Sequence, residues 1–396
     1  MISQHQLFFQ YLAQTSDFPL KLQLEKAEGI YMYDVNGKSY IDLISGVSVS
    51  NIGHRHPKVI EAVKNQVDKY MHLMVFGEYI QKPQIKLAKL LSDNLPDSLN
   101  STYFVNSGSE AVEGALKLAK RYTGRTEIIA FKNAYHGSSH GALSVLGNET
   151  FKNSFRPLLP DIRFLEFNHF EDLEKISEKT ACVIVEPVQG EAGIILPENN
   201  FLQELRKKCD KKGSLLILDE IQTGFGRTGS LFAFQQFEIV PDIFTIAKGL
   251  GGGMPIGAFI SSQEIMSAFK TDPTLGHITT FGGHPVSCAA AYASLQVILN
   301  ENLIAHVKRK GELFKKFLVH SQITSIRGIG LFLAVELKNS EQIKKVISLA
   351  LDKGVVTDWF LLKDNAFRIA PPLIIKDNEI EEASRILLEV IEESTK

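Results

Sequence analysis

Short apolar runs that alternate with amphipathic segments constrain the fold of this chain more than any other feature. Helix-like stretches such as EAVEGALKLAKRY (110–122) and NFLQELRKKCDKKG (200–213) lie between these runs. The alternation predicts an α/β fold with a mainly parallel, doubly wound sheet, whose ligands bind beyond the carboxyl ends of the strands. The runs typical of strands buried on both faces are TEIIAF (126–131), ACVIVEP (181–187), SLLILDE (214–220) and DIFTIAK (242–248).

The pattern changes from about residue 300 of the 396-residue chain. A basic amphipathic helix gives way to IRGIGLFLAVEL, a further helix and RIAPPLII. This sequence of elements predicts a compact α+β C-terminal domain beside one larger domain, for which the chain is long enough.

Charge and cysteine usage exclude several classes of partner. A formal net charge of −2 gives no electrostatic reason to expect nucleic acid or a membrane surface. No apolar stretch approaches the ~20 residues of a membrane helix, and the start MISQHQLFFQYLAQ lacks the features of a signal peptide. Cys182, Cys209 and Cys288 form no CxxC, which is typical of a reducing compartment. We therefore expect a cytoplasmic protein.

Polar residues follow three of the strand-like runs. In YFVNSGSEAVEG, Ser107 and Ser109 begin a helix and either help its backbone N–H groups to hold a phosphate or simply cap it. Asp219 ends a buried strand, where a carboxylate needs a positive partner unless it caps the next loop. Lys248 ends IFTIAK and precedes GLGGGMPIG. It is either a lysine in a surface loop or a partly desolvated amine at the end of the strand.

The glycines after Lys248 match neither common nucleotide-binding motif. A P-loop is excluded because no GxxxxGK[ST] occurs and the lysine precedes the glycines. A dinucleotide fingerprint starting at Gly249 fails because its third glycine position is Met254, and Pro255 breaks the helix that should follow. A nucleotide-dependent dehydrogenase is therefore disfavoured.

Taken together, the three strand ends match the three handles of pyridoxal 5′-phosphate (PLP). A phosphate cradle, a buried carboxylate and a reactive amine correspond to its phosphate, its pyridine nitrogen and its aldehyde. A carboxylate against the ring nitrogen keeps that nitrogen protonated and makes the ring an electron sink.

Seven stretches then carry a resemblance to a known family. In order they are YIDLISGVSVSNIGHRHPKVIEAV, NSGSEA, YHG, EPVQGEAGI, LILDEIQTGFGRTG, AKGLGGGMPIGA and TTFGG. By these motifs the chain, from Gly29 through Arg368, resembles the class III (subgroup II, fold type I) aminotransferases, the family of the acetylornithine, ornithine and 4-aminobutyrate aminotransferases. The resemblance implies a fold type I PLP-transferase with a seven-stranded, mainly parallel sheet in a large domain at 51–298. The small C-terminal domain is expected at 299–396, joined by an N-terminal segment at 1–50.

The resemblance also implies the cofactor-binding residues. Lys248 is expected to form the Schiff base and then to move a proton between the substrate carbon and the cofactor, and Asp219 to partner the pyridine nitrogen. Gln222 is expected on the ring hydroxyl, with Ile221 and Tyr135 on the two ring faces. The implied phosphate site consists of Ser107, Gly108 and Ser109, together with Thr280 from the neighbouring subunit. The last role implies a homodimer with shared active sites, and no metal is implied.

Substrate positions follow from the same resemblance. Arg368 of NAFRIAPPLII matches the arginine that holds the carboxylate of glutamate or 2-oxoglutarate, and Glu191 matches the acid that pairs with it when the other substrate is bound. Thr279 lies beside Thr280, and Ser138 stands where the best-known members carry an arginine that grips the donor's carboxylate. His54, His56 and His136 are interpreted as structural histidines that satisfy backbone groups.

The predicted activity is transamination from a small-molecule donor to a 2-oxo acid. We expect the donor amine to be the terminal amine of an ornithine- or acetylornithine-like amino acid or of a diamine, and the acceptor to be 2-oxoglutarate. The alternatives are another fold type I enzyme such as an aminomutase, an ω-amine:pyruvate-type aminotransferase, or an idle binding protein. Arg368 with Glu191 argues against the aminomutase, because a mutase needs no dicarboxylate pocket, and Lys248 with Asp219 argues against the idle protein.

Overall fold

The computed structural model describes residues 3–395. Their α-helices are α1 Gln4–Tyr11, α2 Ser45–Ser48, α3 Pro57–Val67, α4 Lys82–Ser92, α5 Gly108–Thr123, α6 His140–Ser144, α7 Phe201–Lys212, α8 Gln263–Met266, α9 Pro285–Asn300, α10 Val307–Phe317, α11 Ser340–Asp352 and α12 Asp377–Glu393. Their strands are β1 Leu24–Glu28, β2 Tyr31–Asp34, β3 Ser39–Asp42, β4 Ser101–Val105, β5 Glu127–Phe131, β6 Ile162–Leu165, β7 Thr180–Val185, β8 Leu215–Asp219, β9 Ile243–Ile246, β10 Gly257–Ser261, β11 Ser325–Ile329, β12 Phe332–Glu336, β13 Val355–Val356, β14 Trp359–Phe360 and β15 Lys363–Ile369. Within this part of the chain, no helix combines the length and apolar character needed to cross a membrane.

A seven-stranded sheet in the order β4-β10-β9-β8-β7-β5-β6 forms the centre of the molecule. The pairs from β9 to β6 are parallel, and β10 is antiparallel to both β4 and β9. The prediction of a mainly parallel seven-stranded sheet in an α/β fold is thus confirmed, and the four strand-like runs are β5, β7, β8 and β9. Strands β7, β8 and β9 are buried throughout because helices cover both faces of the sheet.

Local sequence fixes the ends of the helices that flank this sheet. Ser107 caps α5, since its side-chain oxygen accepts a hydrogen bond from Glu110 N at 3.2 Å. Gly124 ends the same helix at φ +68°, in the left-handed region that glycine adopts without a Cβ penalty. The amphipathic pattern of α5 buries its apolar face against β9 and β10, so its N-terminus points at the carboxyl ends of the parallel strands.

A second hydrophobic core joins the two ends of the chain. It contains Ile30, Ile41 and Leu43 from the N-terminal strands together with residues between Val307 and Ile391. Two four-stranded sheets belong to this part, in the orders β1-β2-β3-β13 and β11-β12-β15-β14. Strand β3 of the N-terminal segment pairs in parallel with β13 of the C-terminal part, and the domain boundaries at 50 and 298 stay a prediction.

Arg227 connects the two cores. Its side chain is completely buried and donates hydrogen bonds to Asn51 Oδ1 at 2.6 Å and to the carbonyl oxygens of Leu331 and Pro371. Because buried N–H donors are costly to leave without acceptors, the hydrogen bonds of Nη1 and Nη2 hold the partners on both sides in register.

Candidate active site

A cavity of about 430 Å³ lies at the carboxyl ends of the parallel strands. This volume falls within the range usual for small-molecule and cofactor sites. The cavity is open to one side and combines residues that follow β4, β5, β8 and β9. Its lining comprises Val49, Asn106, Ser107, Gly108, Ser109, Tyr135, His136, Gly137, Glu186, Asp219, Ile221, Gln222, Ala247, Lys248, Gly253, Met254, Pro255 and Ile256.

Lys248 lies just after β9 and points its amine into this cavity. Its backbone has φ +44°, a strained conformation for a residue with a side chain. Burial lowers the pKa of the Lys248 amine to about 8, and Arg368 acts in the same direction while Glu191 and Asp219 oppose it. A lysine with this pKa has a much larger neutral, nucleophilic fraction near pH 7 than an exposed one.

Asp219 at the end of β8 is buried and paired with a histidine. Its Oδ2 lies 2.7 Å from Nδ1 of His136, and its Oδ1 accepts a hydrogen bond from the backbone N–H of Ile221 at 3.0 Å. His136, interpreted from the sequence as structural, thus contacts this carboxylate rather than a backbone group. The other ring nitrogen, Nε2, is buried without a hydrogen-bond partner among residues 3–395.

The N-terminus of α5 forms one end of the cavity. Ser107 is the N-cap of α5 and also lines the cavity, so its capping role does not exclude an anion at this end. Gly108 lies so close to Ile221 that a Cβ would be 2.9 Å from Ile221 Cδ1. Ser109 Oγ accepts a hydrogen bond from Ser138 N at 3.2 Å. The resulting concave cradle of backbone N–H groups and hydroxyls can hold an anion.

Tyr135 and Glu186 form another wall. The Tyr135 hydroxyl lies 3.1 Å from Ser138 Oγ, and its backbone N–H donates to Glu186 Oε1 at 3.0 Å. Glu186 also accepts a hydrogen bond from Gly190 N at 2.9 Å, so it ties two loops together. Burial raises the pKa of Glu186 to about 7, with Asp219 adding to the rise and His136 opposing it. The sequence analysis assigned no role to Glu186, although EPVQGEAGI places it directly after a buried strand.

Arg368 and Glu191 lie behind Gln222, next to the cavity. Arg368 Nη2 is 3.0 Å from both carboxylate oxygens of Glu191, and its Nη1 donates to Gln222 Oε1 at 3.1 Å. Gln222 Nε2 in turn donates to Glu191 Oε1 at 2.9 Å. Burial opposes the ionisation of Glu191, but Arg368 and Lys248 outweigh it and lower the pKa of this carboxyl. The three side chains therefore form one hydrogen-bonded network.

Thr279 and Thr280 lie outside the cavity of this single chain. Thr279 Oγ1 accepts hydrogen bonds from Asn106 Nδ2 and Gly282 N, each at 3.2 Å, and so lies next to the loop that precedes Ser107. Thr280 is exposed. Every predicted site residue except Thr280 thus lines the cavity or hydrogen-bonds a residue that lines it.

The residues present fit PLP as the sequence suggests. The cradle at Ser107–Ser109 suits a phosphate, the buried Asp219 carboxylate suits a protonated ring nitrogen, and the Lys248 amine suits an aldehyde. The strongest indication of a PLP site is that Lys248 and Asp219 line the same cavity. Both are ionisable side chains with little exposure to solvent, and the cavity is of a size suited to a cofactor ring. Tyr135 and Ile221 also line the cavity, and their side chains can pack against a flat ring.

Comparison with known proteins gives one consistent result. The family model described as aminotransferase class-III matches residues 11–391. An acetylornithine aminotransferase from Methanopyrus kandleri is 42% identical over 382 residues, 96% of each chain. A [LysW]-aminoadipate semialdehyde/glutamate semialdehyde transaminase from Sulfolobus acidocaldarius is 38% identical over 93% of this chain and 94% of its own. The structure of an ornithine aminotransferase from Toxoplasma gondii, described with partial occupancy of PLP at its active site, superposes with a TM-score of 0.91 at 29% identity, over 98% of this chain and 94% of that one.

Proposed function

The chain belongs to the class-III aminotransferase family and is a PLP-dependent enzyme, and we propose that it transfers a terminal amine to 2-oxoglutarate. The observation that carries this proposal is the convergence of Lys248, Asp219 and the N-terminus of α5 on one cavity, with the Arg368–Glu191 pair next to it. The cavity would hold the cofactor on which amino transfer depends. Arg368 would bind the carboxylate of the substrate once Glu191 moves away from it.

Four groups of this chain would hold the cofactor. The N-terminus of α5, with Ser107, Gly108 and Ser109, would bind the phosphate, and Asp219 would accept a hydrogen bond from the pyridine nitrogen. Tyr135 and Ile221 would cover the two faces of the ring, and Gln222 would reach the ring hydroxyl with the hydrogen-bonding capacity that Glu191 and Arg368 leave free. Bound PLP supplies an aldehyde that takes up the amine and a protonated ring that withdraws electrons from the substrate carbon.

Lys248 Nζ would perform the proton transfer. Its lowered pKa leaves a useful fraction neutral near pH 7, so Nζ can accept a proton from the substrate carbon and donate it again to the cofactor side. Asp219 stays in place during this transfer because His136 and the Ile221 backbone hold both of its oxygens. His136 acts as a positioning residue for this carboxylate.

Arg368 would bind the carboxylate of the 2-oxo acid. A guanidinium presents two parallel N–H donors to a carboxylate, which suits 2-oxoglutarate and glutamate. Both carboxylate oxygens of Glu191 lie 3.0 Å from Arg368 Nη2, so the acceptor must displace Glu191 from this nitrogen. When Glu191 returns, the pocket accepts a donor that has no carboxylate at this point.

The donor is proposed from the relatives and from the wall around Tyr135. Curated relatives are named for acetylornithine and for semialdehyde substrates, which supports a donor with a terminal amine. Ser138, hydrogen-bonded to Tyr135, offers no positive charge to a donor carboxylate. A diamine or an ω-amine that reacts without such a contact therefore belongs in the same class of candidates.

We propose a homodimer with shared active sites. The segment around Thr279 and Thr280 exposes three large apolar side chains, Leu275, Ile278 and Phe281. Such a cluster is typical of an interface, and it adjoins the loop before Ser107 through the Asn106–Thr279 hydrogen bond. In a dimer Thr280 would reach the phosphate site of the neighbouring subunit. Sedimentation velocity tests this: Phe281→Asp should shift the enzyme toward monomer, and a wild-type monomer would contradict the proposal.

We further propose a reducing, cytoplasmic environment. Cys182, Cys209 and Cys288 are all free thiols buried in the core. Burial raises the pKa of Cys182 and Cys209 to about 12, so neither forms a reactive thiolate at neutral pH.

A panel of donors tests the function directly. Ornithine, N-acetylornithine, 4-aminobutyrate and 1,4-diaminobutane would each be supplied with 2-oxoglutarate, and glutamate formation measured. A parallel series with pyruvate, scored by alanine formation, separates the ω-amine:pyruvate alternative. Activity with pyruvate alone would contradict the acceptor proposed here, and no amino transfer with any donor would contradict the donor class.

A further inference from the structure

Arg368 faces two carboxylates. Glu191 lies on its Nη2 side at 3.0 Å, and Asp358 Oδ1 lies 3.2 Å from its Nε. Arg368 itself is only 2% exposed, whereas the Asp358 side chain is 27% exposed. The alternating use of the pocket requires only one of these acids, so the second needs a separate explanation.

The two carboxylates are held by different kinds of backbone. Asp358 lies directly opposite Arg368 beside β14 and β15, because Arg368 N donates to Asp358 O at 2.8 Å and Thr357 Oγ1 donates to Arg368 O at 2.6 Å. Glu191 lies in a turn next to Gly190 and close to Gly193, which has φ +84°. Asp358 is therefore held opposite Arg368 by backbone pairing, whereas the Glu191 side chain is held by hydrogen bonds from Arg368, Gln222 and the backbone N–H of Leu361.

The contact between Asp358 and Arg368 is an ion pair without a well-directed hydrogen bond. Neither Arg368 Nε nor Asp358 Oδ1 has a hydrogen-bond partner of acceptable geometry in the described part of the chain, although the two atoms lie 3.2 Å apart. Burial raises the pKa of Asp358 to about 6, with Glu191 adding to the rise and Arg368 opposing it. At neutral pH the carboxyl is thus ionised, and one cation faces two anions.

We propose that Asp358 is a permanent counter-ion of Arg368 that weakens its hold on the carboxylate of the acceptor. The inference rests on the proposed function, in which Arg368 binds that carboxylate. Any carboxylate that replaces Glu191 on the Nη side shares the guanidinium with Asp358 and is repelled by it. The weaker binding lets the amino acid product leave. Asp358 also balances the positive charge of Arg368 while Glu191 and the substrate exchange places.

A non-reacting ligand tests this through binding rather than turnover. Glutarate has the two carboxylates of 2-oxoglutarate but neither an oxo group nor an amine. Its affinity for the cofactor-loaded enzyme would be measured by calorimetry in Glu191→Gln, where the competing charge of Glu191 is absent, and in Glu191→Gln with Asp358→Asn. We expect the second change to tighten glutarate binding by about tenfold at pH 7.5, because a repelling charge is removed.

The direction of the effect separates this role from a structural one. An Asp358 that only supports the fold would weaken glutarate binding when replaced, and an unchanged or weaker affinity overturns the inference. If Glu191→Gln is folded and loaded but binds no glutarate, the proposed role of Arg368 fails as well, which is a different result. Asp358→Ser serves as a second uncharged replacement if the asparagine variant does not fold, as judged by its melting temperature.

A pH series provides an independent readout. The glutarate affinity of Glu191→Gln relative to that of the double variant should fall as the pH rises toward 7.5, since Asp358 ionises as the pH rises. The charged groups that face Asp358 are Arg368, Glu191 and Asp42, and Asp42 in turn lies 2.8 Å from His54. Arg368, Asp42 and His54 are present in both variants, so an equal pH dependence of the two affinities overturns the inference.

Discussion

Asp219 Oδ2 lies 2.7 Å from His136 Nδ1, and both side chains are almost completely buried. The contact spans 83 positions of sequence and joins the loop after β5 to the end of β8. It leaves the carboxylate facing the cavity with a fixed orientation, which is what a partner of a ring nitrogen requires.

Replacement of Asp219 should abolish most activity while the protein stays folded. Asp219→Asn keeps the size of the side chain but removes the charge that would keep the ring nitrogen protonated, so kcat should fall by about 10²–10³-fold. Steady-state kinetics with 2-oxoglutarate measures the effect, and Asp210→Asn, on the exposed side of α7, is the control. A kcat within threefold of wild type would remove Asp219 from the mechanism.

Lys248 should be the site of covalent attachment. After incubation with PLP and reduction with borohydride, peptide mass spectrometry should find the reduced adduct at Lys248, and Lys248→Ala should carry none. Lys179→Ala, which removes an exposed lysine, should label like wild type. Stoichiometric labelling elsewhere, with Lys248 unmodified, would refute the assignment.

The rate of cofactor attachment should depend on the pKa of Lys248. Only the neutral amine attacks an aldehyde, so the rate should rise about tenfold per pH unit below pH 8 and level off above it. Stopped-flow absorbance of the cofactor-free enzyme measures this between pH 6 and 10. A rate that levels off only near 10.5, the ordinary lysine pKa, would contradict the burial of this amine.

The same shift has a consequence for stability. Because the pKa of Lys248 is lower in the folded than in the unfolded chain, the unfolded state binds more protons between pH 8 and 10.5. The contribution of this group to the free energy of unfolding therefore rises with pH across that window. Urea titrations of the cofactor-free enzyme and of Lys248→Met should diverge there.

Arg368→Ala should weaken use of the acceptor specifically. Loss of the guanidinium should raise the KM for 2-oxoglutarate by about 10²–10³-fold, since a buried charged partner is removed. Because Glu191 and Asp358 are left unpaired, the melting temperature must be measured alongside. Arg385→Ala, on the surface of α12, is the control, and an unchanged KM would exclude Arg368 from acceptor binding.

Gly114 in α5 should tolerate no side chain. A Cβ at this position would be 2.2 Å from Cε1 of Phe259, a buried ring of β10. Gly114→Ala should lower the free energy of unfolding by about 1–3 kcal/mol despite the better helix propensity of alanine. Lys117→Ala on the exposed face of the same helix should change it by less than about 0.5 kcal/mol. Urea unfolding measures both, and equal stability of the two variants would refute the close packing.

The sequence predicted the elements of the large sheet and the convergence of Lys248 and Asp219, because parallel strands place their carboxyl ends at one edge. It did not predict that β10 runs antiparallel between β4 and β9. A strand buried on both faces has the same apolar pattern in either direction, so periodicity carries no information about it.

The contacts that sequence reasoning missed are long-range. His136 reaches Asp219, and Asp358 reaches Arg368, only because particular strands pair in a particular register. For Asp358 that register includes a shift between Trp359 and Phe360, which the spacing of residues does not reveal. The sequence shows that Asp358 and Arg368 both lie near predicted strands, but only the fold shows that the two side chains are partners.

Arg227 has a consequence for how the molecule melts. Its partners Asn51, Leu331 and Pro371 come from both sides of the boundary between the cores. Unfolding of either core would therefore leave buried N–H groups of Arg227 without acceptors. We expect a single calorimetric endotherm in which both cores lose structure together, and Arg227→Met should split it into two.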